Sequence, residues 1–473
     1  MRVDLNQGAY ESRSLIAEDQ RCVNLFPEEN PGDAPFPTIH YPAPGLKRLA
    51  TATDSVWRAL YRVKATGDLY GVCGGSLYYI DQAWTLNLIG SVPNDRKPIS
   101  MSDNGFEVMI VAPTWGATVE ISSKTFARIT DSAFYGANRV DICDTYFVLD
   151  RPGTNNWYIS LTNQATFDSL DIASKTSAPD KLQAVIVMND NPWLIGELTS
   201  EIWYDTGSPD FTFGKMPSVF IEHGTPAPFS VQKYDQSIYW LSQNEQGQYM
   251  VMRGNNYAAQ RISTHAIESE ISDYGDVSDA IGFCFQMGGH AFYQLTFPAA
   301  DKTWVWDESV KLWHERVWID ADGGWHRHRA NCTAFAYGQN VCGDWQNGNL
   351  YAFDLDTYTD DGAPILYLRT LPHMVSNGNR VSYQRFIADM EVGNLAGTTT
   401  DNPPMVSLRW SDDRGSTWGN PVMMPLGSAG QYGTSVQWWQ LGMARDRVFE
   451  ISWSVNVKTS LNGAWLEMIP LRT

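Results

Sequence analysis

The amino-acid sequence predicts an all-β chain: a β-propeller of about six blades, an additional β-sandwich-like C-terminal domain and an extended N-terminal arm. Three observations carry this expectation. Aromatic residues make up 13 % of the chain, with 19 Trp and 22 Tyr, side chains that suit pleated, half-buried surfaces. They occur together with 38 Gly and 24 Pro, which supply tight turns and interrupt helices. Short apolar-aromatic runs bounded by Gly, Asn or Asp recur at roughly 45 to 55 residues, the length of one propeller blade.

Residues 1–55 are polar and proline-rich, running through Asn24-Leu25-Phe26-Pro27 and Tyr41-Pro42-Ala43-Pro44-Gly45 without helical or alternating periodicity. They are expected to form an extended arm that packs on a platform domain or a neighbour. The propeller pattern occupies residues 56–365. Ala59-Leu60-Tyr61-Arg62-Val63 leads to a turn at Thr66-Gly67-Asp68, Leu69-Tyr70-Gly71-Val72-Cys73 returns, and Gly74-Gly75 opens Leu77-Tyr78-Tyr79-Ile80, three strands of one blade. Comparable runs lie at residues 106–111, 184–188, 193–196, 201–204, 237–241 and 292–296, and Thr303-Trp304-Val305-Trp306-Asp307 turns into a second Trp-bearing strand at Trp313. At roughly 50 residues per blade this gives about six blades, with five or seven as alternatives. One helix is expected near residues 263–274, where Ile267, Ile271 and Tyr274 share a face; it serves as a packing insert or a docking helix. After Pro364 the strands lengthen, as at residues 380–386 and 406–410, and residues 366–473 fit a two-sheet sandwich.

Charge and composition exclude several classes. Hydrophobic residues at 43 % against 18 % charged allow a large core, so the chain is expected to fold throughout. Lys and Arg number 34 against 53 Asp and Glu, a net charge of −19 that repels phosphate and argues against sequence-specific DNA binding through a basic stripe. A wall of that sign would let double-stranded DNA slide past without sticking. The start Met1-Arg2-Val3-Asp4 predicts no secretory signal, and no apolar run reaches the roughly 18 residues of a membrane span, so no membrane insertion is expected. Six scattered cysteines without a C-x-x-C pair read as reduced, mostly buried thiols.

The sharpest local motif is Ser411-Asp412-Asp413-Arg414-Gly415-Ser416-Thr417-Trp418, an Asp-box of the form S-x-D-x-G-x-T-W. Asp413 is expected to bond backbone amides across the turn with Ser411 and Thr417 beside it, Gly415 to take a positive φ, and Trp418 to plug the hairpin from beneath. Such boxes resemble those of sialidases, which carry several, with an arginine cluster and a nucleophilic tyrosine; here a single copy reads as fold-stabilising. His314, His326 and His328, with Cys332 and Cys342 nearby, invite a metal reading, but the spacing matches no known finger and Arg327 and Arg329 disfavour a dication. No nucleophile elbow, P-loop, dinucleotide turn or H-E-x-x-H pattern is present, so neither enzymatic activity nor any metal or cofactor is expected. A propeller that binds carbohydrate, or hydrolyses it with a carboxylate pair brought together in the channel, remains the alternative.

Three stretches taken in order resemble the packaged-DNA stabilisation, or tail hub (nozzle), proteins of short-tailed bacteriophages. The first is Arg21-Cys22-Val23-Asn24-Leu25-Phe26-Pro27 with Pro44-Gly45-Leu46 and Tyr70-Gly71-Val72-Cys73-Gly74-Gly75-Ser76-Leu77-Tyr78. The second is Cys342-Gly343-Asp344-Trp345-Gln346-Asn347-Gly348-Asn349-Leu350-Tyr351-Ala352-Phe353-Asp354, continuing to Ile365; the third is Leu441-Gly442-Met443-Ala444-Arg445-Asp446-Arg447-Val448-Phe449-Glu450-Ile451. The resemblance implies a structural virion protein that forms a homohexameric ring around the DNA channel below a portal–adaptor ring. Such a ring retains the packaged genome and docks tail fibres, tailspikes or a needle. The family offers no catalytic residues to carry over. Copies that each bear −19 would repel, so the faces between them should be less acidic than the rest of the surface.

Overall fold

The computed structural model describes residues 1–471 apart from 15–17, 33, 55, 392–402, 428–429 and 432. The first propeller blade is an antiparallel meander of Trp57–Arg62, Leu69–Cys73, Ser76–Ile80 and Leu86–Ser91. Its second strand, Leu69–Cys73, is apolar and buried at every position because the blade is covered on both faces by neighbours, so alternation with polar residues is lost there. Five more four-stranded meanders follow, with innermost strands Ser100–Asp103, Val140–Cys143, Leu182–Met188, Gln232–Tyr234 and Ile281–Met287.

The propeller has seven blades, one more than the about six expected. The seventh was missed because it is discontinuous in sequence. Ala330–Ala336, Gln339–Asp344 and Asn349–Asp354 supply three strands, and Gly45–Thr51, from within the N-terminal 55 residues, supplies the fourth, pairing Asn349 with Thr51 and Asp354 with Gly45. Seven apolar seams fill the spaces between blades, and the last joins blade seven to blade one through Trp57, Tyr78, Val341 and Leu350. That closure is tight: a Cβ at Gly343 would lie 2.1 Å from Trp57 Cβ, so only glycine fits.

The helix runs His265–Asp273, capped by Thr264, whose hydroxyl accepts from the Ile267 amide at 3.4 Å. Ile267 and Ile271 are buried in the seam beside blade five, so its apolar face is spent inside the protein.

Beyond the propeller, two sheets pack face to face. One carries Tyr367–Thr370, Asp446–Trp453, Met405–Ser411 and Val422–Pro425; the other carries Leu461–Pro470, Val381–Met390 and Val436–Trp439. The N-terminal segment enters both. Its hairpin Leu25–Glu29 and Thr38–Pro42 joins the second sheet through His40 opposite Leu461. Strand Cys22–Val23 lies between the outer strand of blade six, pairing Val23 with Glu315, and the first sandwich strand, pairing Cys22 with Arg369. A hydrogen-bonded path therefore runs from blade six through this short strap into the sandwich without a break.

Asn24 fastens the strap. Its φ is +53°, a left-handed conformation that Asn tolerates, and its buried side-chain amide donates to the Val317 and Leu366 carbonyls at 3.0 and 2.9 Å while its oxygen accepts from the Val317 amide at 3.0 Å. Asn24→Leu leaves three backbone groups without partners and should lower unfolding free energy by about 3 kcal/mol. Urea unfolding of both proteins measures this; a loss under about 1 kcal/mol would mean that water replaces the amide.

Candidate channel and docking surfaces

The inner strands of the seven blades enclose a central channel of about 390 Å³. Arg62 and Lys64, exposed where the first inner strand ends, line it together with Phe335 of blade seven. The channel carboxylate Asp141 is engaged by Lys233 and by the Val187 amide at 2.8 Å, so it is tied into the wall. Tyr61, which lines the channel, donates its hydroxyl to Asp103 at 2.6 Å. The space matches a small-molecule pocket in size and is far too narrow for a duplex.

A second charged region surrounds the strap. Arg21 bridges Glu11 at 3.3 Å and Glu315 at 3.2 Å, and Lys302 joins Glu315 at 3.0 Å. From the sandwich side, fully buried Arg369 donates to the Gln7, Gly8 and Arg21 carbonyls and to Gln20 Oε1, gripping the N-terminal segment by its backbone. Burial raises the Glu11 carboxyl to about 7 against the pull of Arg21, and raises Asp19 to about 6 in the same way. Both folded-state values lie above the ordinary carboxylate range, so the folded chain holds protons that the unfolded chain has released. The associated stability is complete below about pH 4 and declines as pH rises through 6 to 7. The double variant Glu11→Gln, Asp19→Asn should flatten this part of a melting-temperature-versus-pH curve, and an unchanged slope would remove these groups as its source.

At the Asp-box, Ser411 Oγ donates to Asp413 Oδ1 at 2.6 Å, the Thr417 amide and hydroxyl donate to the same carboxylate at 2.8 and 2.6 Å, and the Gly415 amide donates to Ser411 Oγ at 2.8 Å. Hydrogen bonds from Ser411 and Thr417 hold the Asp413 carboxyl down at about 2. Gly415 has a φ of +93°, and a Cβ there would lie 2.4 Å from Asp19 Oδ2, which brings the turn against the strap. Trp418 differs from the expected plug: it is half-buried, with the Arg409 guanidinium 4.9 Å above its ring. The interior position belongs to Arg447, which grips Asp412 through Nε at 2.5 Å and Nη2 at 2.8 Å and lies over the rings of Tyr383 and Trp410. Sequence reasoning assigned Arg447 no role, although it stands inside the run 441–451 that carried the third resemblance.

The suspected metal residues are not brought together. His314 and His328 are buried, whereas His326 lies at the surface between Asp301 at 2.7 Å and Asp320 at 3.1 Å. Among the described residues no group of three or more His, Cys, Asp or Glu is placed to hold a metal ion, and all six cysteines are free thiols.

The outward face of the second sandwich sheet exposes Trp439, Met443 and Ile469. Pairing of Arg385 with Trp439 and Glu467, and of Ser382 with Met443 and Ile469, puts them on one side of the sheet. Arg385 stacks 4.5 Å from the Trp439 ring and ion-pairs with Glu467. Exposed Trp and Met beside a half-buried Arg in one patch are the composition of protein interfaces.

The sequence matches the family described as bacteriophage P22 Gp10, beta-propeller, over residues 1–358, and that described as bacteriophage P22 Gp10, beta-sandwich, over residues 367–468. The chain belongs to the Gp10 phage stabilisation family. A Gp10-family chain is a structural component of a phage tail, and both predicted domains are those of the family. No curated protein matches the sequence. Solved structures of similar fold include the beta-propeller domain of Cps50 (Swd1) from Myceliophteria thermophila, at 8 % identity and a TM-score of 0.41, covering 65 % of this chain and 98 % of that one. The N-terminal domain of Nup159 gives 8 % identity and a TM-score of 0.40, covering 70 % and 98 %. Among the described residues of this Gp10-family chain no helix is long and apolar enough to cross a membrane.

Proposed function

We propose that this Gp10-family chain is a hub or nozzle subunit of a short phage tail, six copies of which form a ring that continues the DNA channel below the portal–adaptor ring. The observation that carries this reading is the match of propeller and sandwich, in order and over almost the whole chain, to a phage stabilisation protein. In this reading residues 56–365, completed by strand Gly45–Thr51, act as the propeller body, residues 366–473 as the platform, and the N-terminal residues before that strand as the tie between them. The strap supports a role under load, because a hydrogen-bonded sheet joins blade six to the sandwich where a flexible linker would let the domains swing.

Double-stranded DNA would run between protomers, since a 390 Å³ propeller channel admits none. A net charge of −19 per copy disfavours adhesion of DNA to the wall, and the Trp439 face suits contact with a neighbouring protomer or with fibre, tailspike or needle proteins. Assembly would take place in the host cytoplasm, and the subunit would act without catalysis.

Light scattering and negative-stain class averages of the purified protein, with and without a portal–adaptor complex, test this. Sixfold rings, free or formed on the complex, are expected; a persistent monomer that never joins the complex would refute the hub reading.

A further inference from the structure

Four of the eight histidines, His40, His290, His314 and His328, are buried around the seam between blades six and seven, where the strap hairpin crosses it. Phe26, Phe292 and Phe353 form the apolar part of that seam. His314 meets the Phe292 ring edge-on at 5.8 Å, and His328 lies 5.9 Å from Phe353. Arg316 follows His314 by two residues on extended backbone whose ladder continues through its amide to the Thr303 carbonyl at 3.0 Å, so both side chains fall on the seam side.

Arg316 is unlike the other fully buried arginines. Arg369 makes four hydrogen bonds, and Arg447 has Asp412 and the Leu441 carbonyl. Arg316 is 2 % exposed, yet its Nε and Nη2 have no partner and its guanidinium forms no ion pair among the described residues. Further buried atoms without partners are both ring nitrogens of His314 and of His40, the Tyr367 hydroxyl and, of opposite sign, the carboxylate oxygen Asp360 Oδ1. Arg316 acts electrostatically on His314, His328, Asp360 and Tyr367.

We propose that this seam binds a small monovalent anion of the chloride class at the Arg316 guanidinium, with His314 and Tyr367 as the neighbouring N–H and O–H donors. The donor set is that of an anion site. Burial drives His314 and His40 well below the ordinary histidine range and His328 to about 3, so the imidazoles stay neutral and donate without adding charge. Asp360, the carboxylate nearest in effect to Arg316, is pushed up to about 7 by its burial and leaves the guanidinium incompletely balanced at neutral pH. An unpaired buried guanidinium is strongly unfavourable, and one anion restores both its charge balance and its hydrogen bonds. With Asp360 partly ionised, no more than one positive charge is left uncompensated, so a monovalent anion fits and a dianion would leave excess negative charge in an apolar seam.

The test is thermal unfolding of the full chain at constant ionic strength in sodium chloride against sodium gluconate, with crystals grown in bromide. Expected results are a melting temperature that rises with chloride and not with gluconate, in proportion to the logarithm of concentration above saturation of the site. An anomalous bromide peak within hydrogen-bonding distance of Arg316 should accompany it. Arg316→Met should abolish the chloride dependence; if that variant does not fold, His314→Phe, which removes a donor and retains the ring, should weaken it. Equal responses to both salts, or water in place of bromide at Arg316, would overturn the proposal, as would a bromide peak without chloride-dependent stability.

Discussion

Removing residues 1–51 is expected to abolish cooperative folding of the whole chain, not to trim a loose terminus. The deletion takes away the outer strand of blade seven and with it the closure of the ring onto Trp57. It also removes strap strand Cys22–Val23 from between blade six and the sandwich, and the hairpin that extends the second sandwich sheet. Arg369 would lose all four of its acceptors and remain as a buried, unpaired charge, which alone costs several kcal/mol. Because propeller seams share blades, opening one exposes its neighbours, and the losses reinforce each other. The purified deletion variant should aggregate or elute as an expanded species, show no sharp thermal transition, and be cut rapidly by protease. A transition within a few degrees of the parent would show that the N-terminal segment is an accessory and that seven blades close without it.

Arg447→Ala should destabilise the sandwich by about 4 kcal/mol, since it vacates a large buried volume between three rings and strips the Leu441 carbonyl of its donor. Asp412 is about half exposed and can be rehydrated, so Asp412→Asn should cost much less than loss of the arginine. Arg447→Lys keeps the charge but loses the two-pronged grip and the planar stacking, and should fall between them. Urea unfolding followed by tryptophan fluorescence, which Trp410 and Trp438 report from within the sandwich, measures the order. Equal losses in Arg447→Ala and Asp412→Asn would mean that the ion pair, not the packing, carries the energy.

Much of this architecture was legible without coordinates. The first hairpin reads directly from Gly67 and Gly74, both at positive φ between apolar strands, and the Trp304 to Trp313 hairpin from its turn. The helix declared itself through the i, i+4, i+7 spacing of Ile267, Ile271 and Tyr274, whereas its Thr264 cap emerged only in the structure. The Asp-box was legible because its bonds are local, spanning Ser411 to Thr417. The seventh blade was not legible, because strand Gly45–Thr51 meets Asn349–Asp354 only after the ring closes, and no periodicity links segments that far apart. Arg369, Arg447 and Arg316 escaped for a related reason: an arginine in a strand looks the same in sequence whether it meets solvent, backbone carbonyls or a seam between blades.

By itself, then, the sequence determined the β class, the order propeller then sandwich, the local turns and the acidic character, all of which depend on residue type and short-range spacing. Only the tertiary structure decided the blade number, the threading of residues 1–51 through three sheets, and the burial of Arg316, Arg369 and Arg447. Those depend on contacts between segments hundreds of residues apart, whose pairing is selected by the burial of apolar seams across the closed ring and not by any one segment's own preference.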